Sequence, residues 1–300
     1  MSGFIYEKDA DGIVTVTMDM AGQPVNTMNE DFYGLLRDTV TRLEQEEGLT
    51  GVILASAKST FFAGGDIKRM LTATPESLPQ WNDEFTEMRH NLRRLEKLPV
   101  PVVAAINGAA LGGGYEIASV CKHRIAVDGE RVLIGLPEST LGLIPGAGGI
   151  VRTISKLGFE KAVPMILEGK VSPAAEAHEL GLIEELVADQ ESLIPAARAW
   201  IKANPDVTAQ PWDQKGFKIP GGNINTSPSV HLAVQSYPAV LTKRFGGEVP
   251  PAWQAIVCAA AETLQVNFDT ALIVEGRYFL SVLTTPEAKA AMTAFVEKRK

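Results

Sequence analysis

Three hundred residues, 45% hydrophobic and 21% charged, make a chain long enough to bury one large core or two smaller ones. Its formal net charge of −8 excludes a general nucleic-acid surface or an anionic-membrane surface, so an anionic ligand must be met by a local cluster of bases.

Two cysteines, Cys121 and Cys258, are too few for a disulfide framework and predict reduced thiols in a reducing, cytoplasmic compartment. His90, His123, His178 and His231 stand singly, without metal-ligand spacing, so no metal is expected. The amino end lacks the basic-then-apolar order of a signal peptide. No apolar run approaches the roughly 18 residues of a membrane span.

The chain opens with two alternating segments, Phe4 to Glu7 and Ile13 to Met18, separated by the turn signal Asp11-Gly12, which predicts a hairpin. Asn29 is placed to cap a helix from Glu30 to about Glu46, with Phe32, Leu35, Leu36, Val40 and Leu43 on one face. GVILA, Gly51 to Ala55, reads as a buried strand. FFAGGDIKRM follows, then a charged helical stretch over 81–98 and a second buried strand over Val100 to Ile106. Arg89, Arg93, Arg94 and Lys97 fall at helical spacings from Glu84, Glu87 and Glu96, the pattern of a solvated, salt-bridged face. This order predicts an α/β domain with parallel strands and right-handed crossovers.

The centre of the chain is NGAALGGGYEIASVCKHRIAVDGERVLIGLPESTLGLIPGAGG, Asn107 to Gly149. A buried strand, a turn at Gly112, Gly113 and Gly114, and a helix would leave backbone N–H groups at a helix N-terminus, where anions and developing oxyanions are stabilised. Glycine allows a ligand to approach the main chain there. Glu116 then sits in the first helical turn, and Glu138 follows 22 residues later, after GLP. Taken alone, each reads as a helix-start acid favoured by the dipole. Asp66 alone reads as a cap for a helix starting at Ile67, and Lys68 and Arg69 as a solvated face.

Beyond Gly149 the chain is expected to be mostly helical. Short helices are predicted over Val151 to Leu157 and Lys161 to Leu167. Ser172-Pro173 reads as a cap and first helical position before AAEAHELGLI, with Gly181 at its end. LIEELV can add a short strand, and ESLIPAARAWIKAN another helix. Pro205 to Pro251 holds seven prolines and five glycines with little periodicity and reads as a linker or surface excursion. Helices follow from Ala252 to Val266 and Thr270 to Val282. A last one starts at a capping box, Thr284 to Glu287, with Ala288, Met292, Phe295 and Val296 as its stripe. The stripe is expected to dock on the chain's own body or on a neighbouring subunit. The division expected is a catalytic core over 1–190 and a helical region over 191–300.

No G-x-S-x-G elbow and no Walker A are present, and both GAGGIV and GGGYEI miss the third glycine of the dinucleotide fingerprint. FFAGGDIKRM, NGAALGGGYEIA and GLPESTLGLIPGAGG, in that order, resemble the enoyl-CoA hydratase/isomerase (crotonase) superfamily over roughly Phe4 to Val187. AWIKANPD, QPWDQKG and EGRYF add a likeness to the hydratase part of the multifunctional fatty-acid oxidation α-subunits. The given chain ends at Lys300, without the dehydrogenase half of those proteins, so no NAD-dependent oxidation of 3-hydroxyacyl-CoA is expected from it.

The resemblance implies an α/β crotonase-like spiral of ββα turns with a helical C-terminal region. It also implies an acyl-CoA thioester substrate, with coenzyme A belonging to the substrate and no separate cofactor. It implies a homo-oligomer or a β-oxidation complex subunit, without nucleic acid and without a membrane span. Glu116 and Glu138 take the positions of the paired acid/base groups, and Gly65 and Gly113 those of the oxyanion-hole donors. Ala63, Asp66, Ile67, Lys68, Pro137, Leu141, Gly142 and Gly146 fall where substrate is contacted. Tyr115 replaces a small residue and either narrows the acyl pocket or packs. The implied activity is hydration of trans-2-enoyl-CoA, with 3,2-isomerisation a further possibility through Glu138. The alternative is an acyl-CoA-binding or assembly module with little activity alone.

Overall fold

The computed structural model describes residues 3–298. In chain order the elements are β1 (Ile5–Lys8), β2 (Ile13–Met18), α1 (Glu30–Gln45), β3 (Gly51–Ser56), α2 (Ile67–Met70) and α3 (Leu78–Glu96). Then come β4 (Val102–Ile106), β5 (Ala110–Leu111), α4 (Gly113–Val120), β6 (His123–Val127) and β7 (Leu133–Gly135). A 3-10 turn, Glu138–Leu141, leads to α5 (Gly149–Leu157), α6 (Phe159–Leu167), β8 (Val171–Pro173), α7 (Ala174–Glu179), β9 (Glu185–Val187) and α8 (Leu193–Ala203). The last helices are α9 (Pro228–Phe245), α10 (Pro251–Thr263), α11 (Phe268–Leu283) and α12 (Pro286–Glu297). They form two compact units that interleave along the sequence. The first is Met1–Gly65, Glu87–Gly135 and Val171–Gln214; the second is Asp66–Thr86, Leu136–Lys170 and Lys215–Lys300.

The first unit holds every strand named above. Its larger sheet runs β1-β2-β3-β4-β6-β9, antiparallel at the β1–β2 hairpin and parallel from β2 onward. The smaller runs β5-β7-β8. β4 enters the larger sheet, β5 the smaller, and α4 follows; β6 and β7 repeat the strand pair, which is the ββα turn of the chain. Alternate residues of the larger sheet serve opposite faces. Ile13, Ile53, Ala55, Val103, Ala105 and Ile125 pack on Leu193, Ala197 and Ile201 of α8. Val16, Met18 and Leu54 face Phe32, Leu36 and Val40 of α1. Burial on both faces is why β3 and β4 read as unbroken apolar runs. Asn29 caps α1 as expected, its Oδ1 accepting from Phe32 N–H at 3.0 Å.

Several expectations are corrected. The face of α3 that carries Arg89 and Arg93 is buried, each residue being 8% exposed. Arg93 forms a fork with Asp213 and donates to Glu96 Oε2 at 2.8 Å; Lys122 Nζ donates to the carbonyls of Glu96 and Leu98 at 3.1 and 3.0 Å. A partner 120 residues away turns what reads as a solvated face into a buried ion cluster. Ser172 and Pro173 form β8 rather than a helix start, because they pair with Ile134 and Leu133. The segment 205–251 is no plain linker: it contains the 18-residue α9, whose only buried residues are Val230 and Leu241. A helix that exposes most of its circumference has no broad apolar stripe to betray it. The cap of α12 is Thr285, one residue later than expected, with its Oγ1 accepting from Ala288 N–H at 3.3 Å.

Within the second unit α12 packs on α2, on α11 and on the 138–141 turn, with Ala288 and Met292 fully buried and Phe295 and Val296 partly so.

The His123 ring stacks on Trp200 at 4.2 Å and 6°, with Nε2 3.1 Å from Glu185 Oε2. Burial holds its pKa below the ordinary 6.5, against the opposing pull of Glu185 and Glu184. The folded chain therefore keeps His123 neutral where the unfolded chain protonates it, and stability is lost as pH falls from 6.5 toward the lower folded value. His123→Phe keeps the stacked ring and removes the proton. Urea midpoints at pH 7 and at mildly acidic pH should diverge less for this variant than for the wild type.

Candidate active site

In the first unit the motif FFAGG and the glycine turn are brought side by side by main-chain pairing. Phe62 bridges Ala110 in parallel; its N–H donates to Ala109 O at 3.1 Å, and its carbonyl accepts from Leu111 N–H at 3.2 Å. The approach tolerates no side chain. A Cβ on Gly114 would run into the Phe62 carbonyl, and one on Gly64 would lie 2.8 Å from Leu111 O and 3.7 Å from Gly113 N. Gly64 and Gly112 also take φ of 100° and 54°, which only glycine adopts at little cost.

This pairing sets the direction of two N–H groups. Gly64 O accepts from Met28 N–H at 2.9 Å, so the trans peptide turns the following N–H, that of Gly65, to the opposite side. Gly112 O accepts from Glu116 N–H at 2.9 Å, so the N–H of Gly113 points out of the α4 N-terminus. Among the described residues neither the Gly65 nor the Gly113 N–H donates to a main-chain acceptor.

Helix α4 is buried along its whole length. Its C-terminal carbonyls are met by Arg124, which donates to Cys121 O at 2.6 Å, and by Gln210, which donates to Val120 O and Cys121 O at 2.9 and 3.0 Å. A guanidinium at the C-terminus and open N–H groups at the N-terminus align the helix with a negative charge at Gly113. Glu116, 3% exposed, lies in the first turn of the same helix. Burial pushes the Cys121 thiol up to about 12, which removes it as a thiolate nucleophile. Tyr115 packs: it is 2% exposed, its hydroxyl donates to Leu182 O at 3.1 Å, and burial raises its pKa.

The second unit carries Asp66, Ile67, Lys68, Pro137, Glu138, Leu141, Gly142 and Gly146, while Ala63, Gly65, Gly113 and Glu116 belong to the first. Asp66 does cap α2, its Oδ1 accepting from Arg69 N–H at 3.1 Å. Lys68 is exposed, but Arg69 is not a solvated base: it pairs with Glu84 and lies 4.4 Å from the Trp81 ring centre. Glu138 opens a 3-10 turn that Gly142 closes with φ 68°. The side chain is half-buried, with Oε2 shielded from solvent. A Cβ on Gly146 would lie 2.7 Å from the Phe279 ring, which explains the glycine by packing.

Three residues escape the sequence reading. Glu275, fully buried, accepts from Gly148 and Val151 N–H at 2.6 and 2.9 Å and so occupies the α5 N-terminus. Its signal is a lone acid inside the apolar run ALIVEGRYFL. Gln210 opens the quoted QPWDQKG without a role being legible in it, and Lys289 leaves no mark. Among the described residues no cluster of acids, histidines and cysteines could hold a metal, and no helix is long and apolar enough to cross a membrane.

The chain is similar to known proteins over most of its length. The enoyl-CoA hydratase/isomerase family model covers residues 8–210. Fatty acid oxidation complex subunit alpha of Idiomarina loihiensis is 36% identical over 290 residues, and that of a Psychrobacter species 30% over 289. Each alignment takes in 95% of this chain and 39% of the relative, so the chain spans about two-fifths of their length. An enoyl-CoA hydratase from Bacillus anthracis superposes with a TM-score of 0.61 at 27% identity, over 99% of this chain and 97% of that one. Human mitochondrial delta3-delta2-enoyl-CoA isomerase has the same fold, with a TM-score of 0.68 at 22% identity, over 99% and 97% of the two chains. With three motifs in order, two glycine turns paired as described and a family model covering two-thirds of its length, the chain belongs to the enoyl-CoA hydratase/isomerase family, the crotonase superfamily.

Proposed function

We propose that this chain hydrates trans-2-enoyl-CoA thioesters in fatty-acid β-oxidation. The observation that carries the reading is the pair of outward N–H groups, Gly65 and Gly113, on adjoining turns, with buried Glu116 on the helix that bears one of them. Hydration forms a C3–O bond and a C2–H bond while the C2=C3 double bond is consumed, and negative charge builds on the thioester oxygen on the way. Two rigid donors stabilise that charge. Glu116 takes a proton from the attacking water, and Glu138 delivers one to C2. Coenzyme A enters as part of the substrate, and the reaction requires no further cofactor. The relatives' names place them in a fatty acid oxidation complex, and we assign this chain a place in such a complex, in the cytoplasm.

The test is direct: purified chain mixed with crotonyl-CoA should remove the absorbance of the conjugated thioester. An unchanged spectrum at high enzyme concentration, with binding of the thioester intact, would leave an acyl-CoA-binding module. The family includes isomerases as well as hydratases, and a second activity through Glu138 would be seen as a gain of the same absorbance from a 3-enoyl-CoA in Glu116→Gln, which does not hydrate the product.

A further inference from the structure

Within the second unit the last helix is tied to the segment bearing Asp66, Ile67 and Lys68. Lys289 Nζ of α12 donates to the carbonyls of Met70 and Leu71 at 3.0 Å each and to that of Ala73 at 2.6 Å. These lie at the C-terminal end of α2, where a helix runs out of its own donors. One ammonium carries three donors and meets all three. The fit matters because α2 is four residues long, far below the length at which a helix holds itself.

Asp66 secures the first turn, and Arg69, paired with Glu84 over Trp81, secures the side. The far end has its own turn bonds, Thr72 N–H to Arg69 O at 2.9 Å and Ala73 N–H to Met70 O at 3.2 Å, and Lys289 adds the side-chain donors from α12. The residue before Lys289 faces a second loop of the same unit: a Cβ on Gly142 would lie 2.8 Å from Ala288 Cα. Neighbouring residues of α12 thus brace the 67–73 turn and the turn that begins at Glu138.

We propose that Lys289 is a positioning residue for thioester binding. Its three bonds hold the 67–73 turn in the conformation in which Asp66, Ile67 and Lys68 meet the acyl-CoA. The inference rests on the proposed function and on the substrate contact that the family resemblance implies for Asp66, Ile67 and Lys68. The Lys289 ammonium is engaged by three main-chain carbonyls of the turn, so its loss should weaken binding and leave the chemical step alone.

The test uses the 300-residue chain. Lys289→Met keeps the aliphatic stem and removes the charge. KM for crotonyl-CoA should rise about tenfold, as expected when charge-assisted hydrogen bonds are lost, with kcat changed by less than about twofold. Hydrogen exchange of the Leu71, Thr72 and Ala73 amides, which bond to Ile67, Arg69 and Met70 carbonyls, should accelerate. Lys289→Arg should recover part of both effects, and Lys298→Met, at the exposed end of the same helix, should show neither. Lys289→Gln, which keeps one donor group, replaces the Met variant if that fails to fold. A KM and an exchange rate equal to the wild type would overturn the role, as would a fall in kcat at unchanged KM. A wild-type chain that neither binds nor hydrates crotonyl-CoA refutes the reading of the site, and the role with it. A wild type that does both, beside an indistinguishable variant, refutes the role alone.

Discussion

Glu116→Gln and Glu138→Gln are each expected to lower kcat for crotonyl-CoA hydration by about 10²–10⁴, the usual contribution of a positioned acid or base, with KM nearly unchanged. The amide matches the carboxylate in shape, so the 3%-exposed position in α4 stays filled and the 3-10 turn at Glu138 keeps its backbone bonds. What is lost is the ability to take up or release a proton. The two variants should part on a 3-enoyl-CoA. Moving a double bond from C3 to C2 removes a proton and returns one without adding water, so isomerisation should persist in Glu116→Gln and vanish in Glu138→Gln. Steady-state rates on both substrates, with thioester affinity measured separately, check this. Hydration at the wild-type rate in either variant sinks the assignment of that residue.

Removing a donor is expected to cost about 10²–10³ in kcat, and the fold offers a clean way to do it. Gly113 is the first residue of α4, the one helical position where proline is welcome, because the missing N–H has no intrahelical acceptor. Gly113→Pro therefore deletes the donor without breaking the helix. The obstacle is Met28, whose Sδ would lie 2.7 Å from a Cβ at Gly113. Met28 is a flexible side chain, so Met28→Ala makes the room, and Met28→Ala/Gly113→Pro should fold. Its expected phenotype is retained thioester binding, an unchanged circular dichroism spectrum and a kcat lowered by that factor relative to Met28→Ala alone. A folded double variant as active as its Met28→Ala parent would show that the Gly113 N–H is not a donor to the transition state.

Features that depend on near neighbours along the chain are legible in its amino acids. Asn29 and the Phe32, Leu36, Val40 stripe specify α1 because a cap and a 3.6-residue period act over one or two turns. The apolar runs of β3 and β4 specify buried parallel strands. Three consecutive glycines before Glu116 specify a turn, a helix start and an acid in its first turn. Features that join residues far apart emerge once the chain is folded. Asp213 meets Arg93 across 120 positions, Glu275 reaches the α5 N-terminus across 127, and Lys289 reaches Met70 across 219. No local period encodes such pairs, and a charged side chain reads as solvated until its partner arrives. Helix α9 went unseen for the opposite reason: a helix with two buried residues lacks the apolar stripe that packing elsewhere imposes. The interleaving of the two units, which separates Gly65 from Asp66 within one motif, likewise follows from the contacts each segment makes once folded and from nothing in its composition.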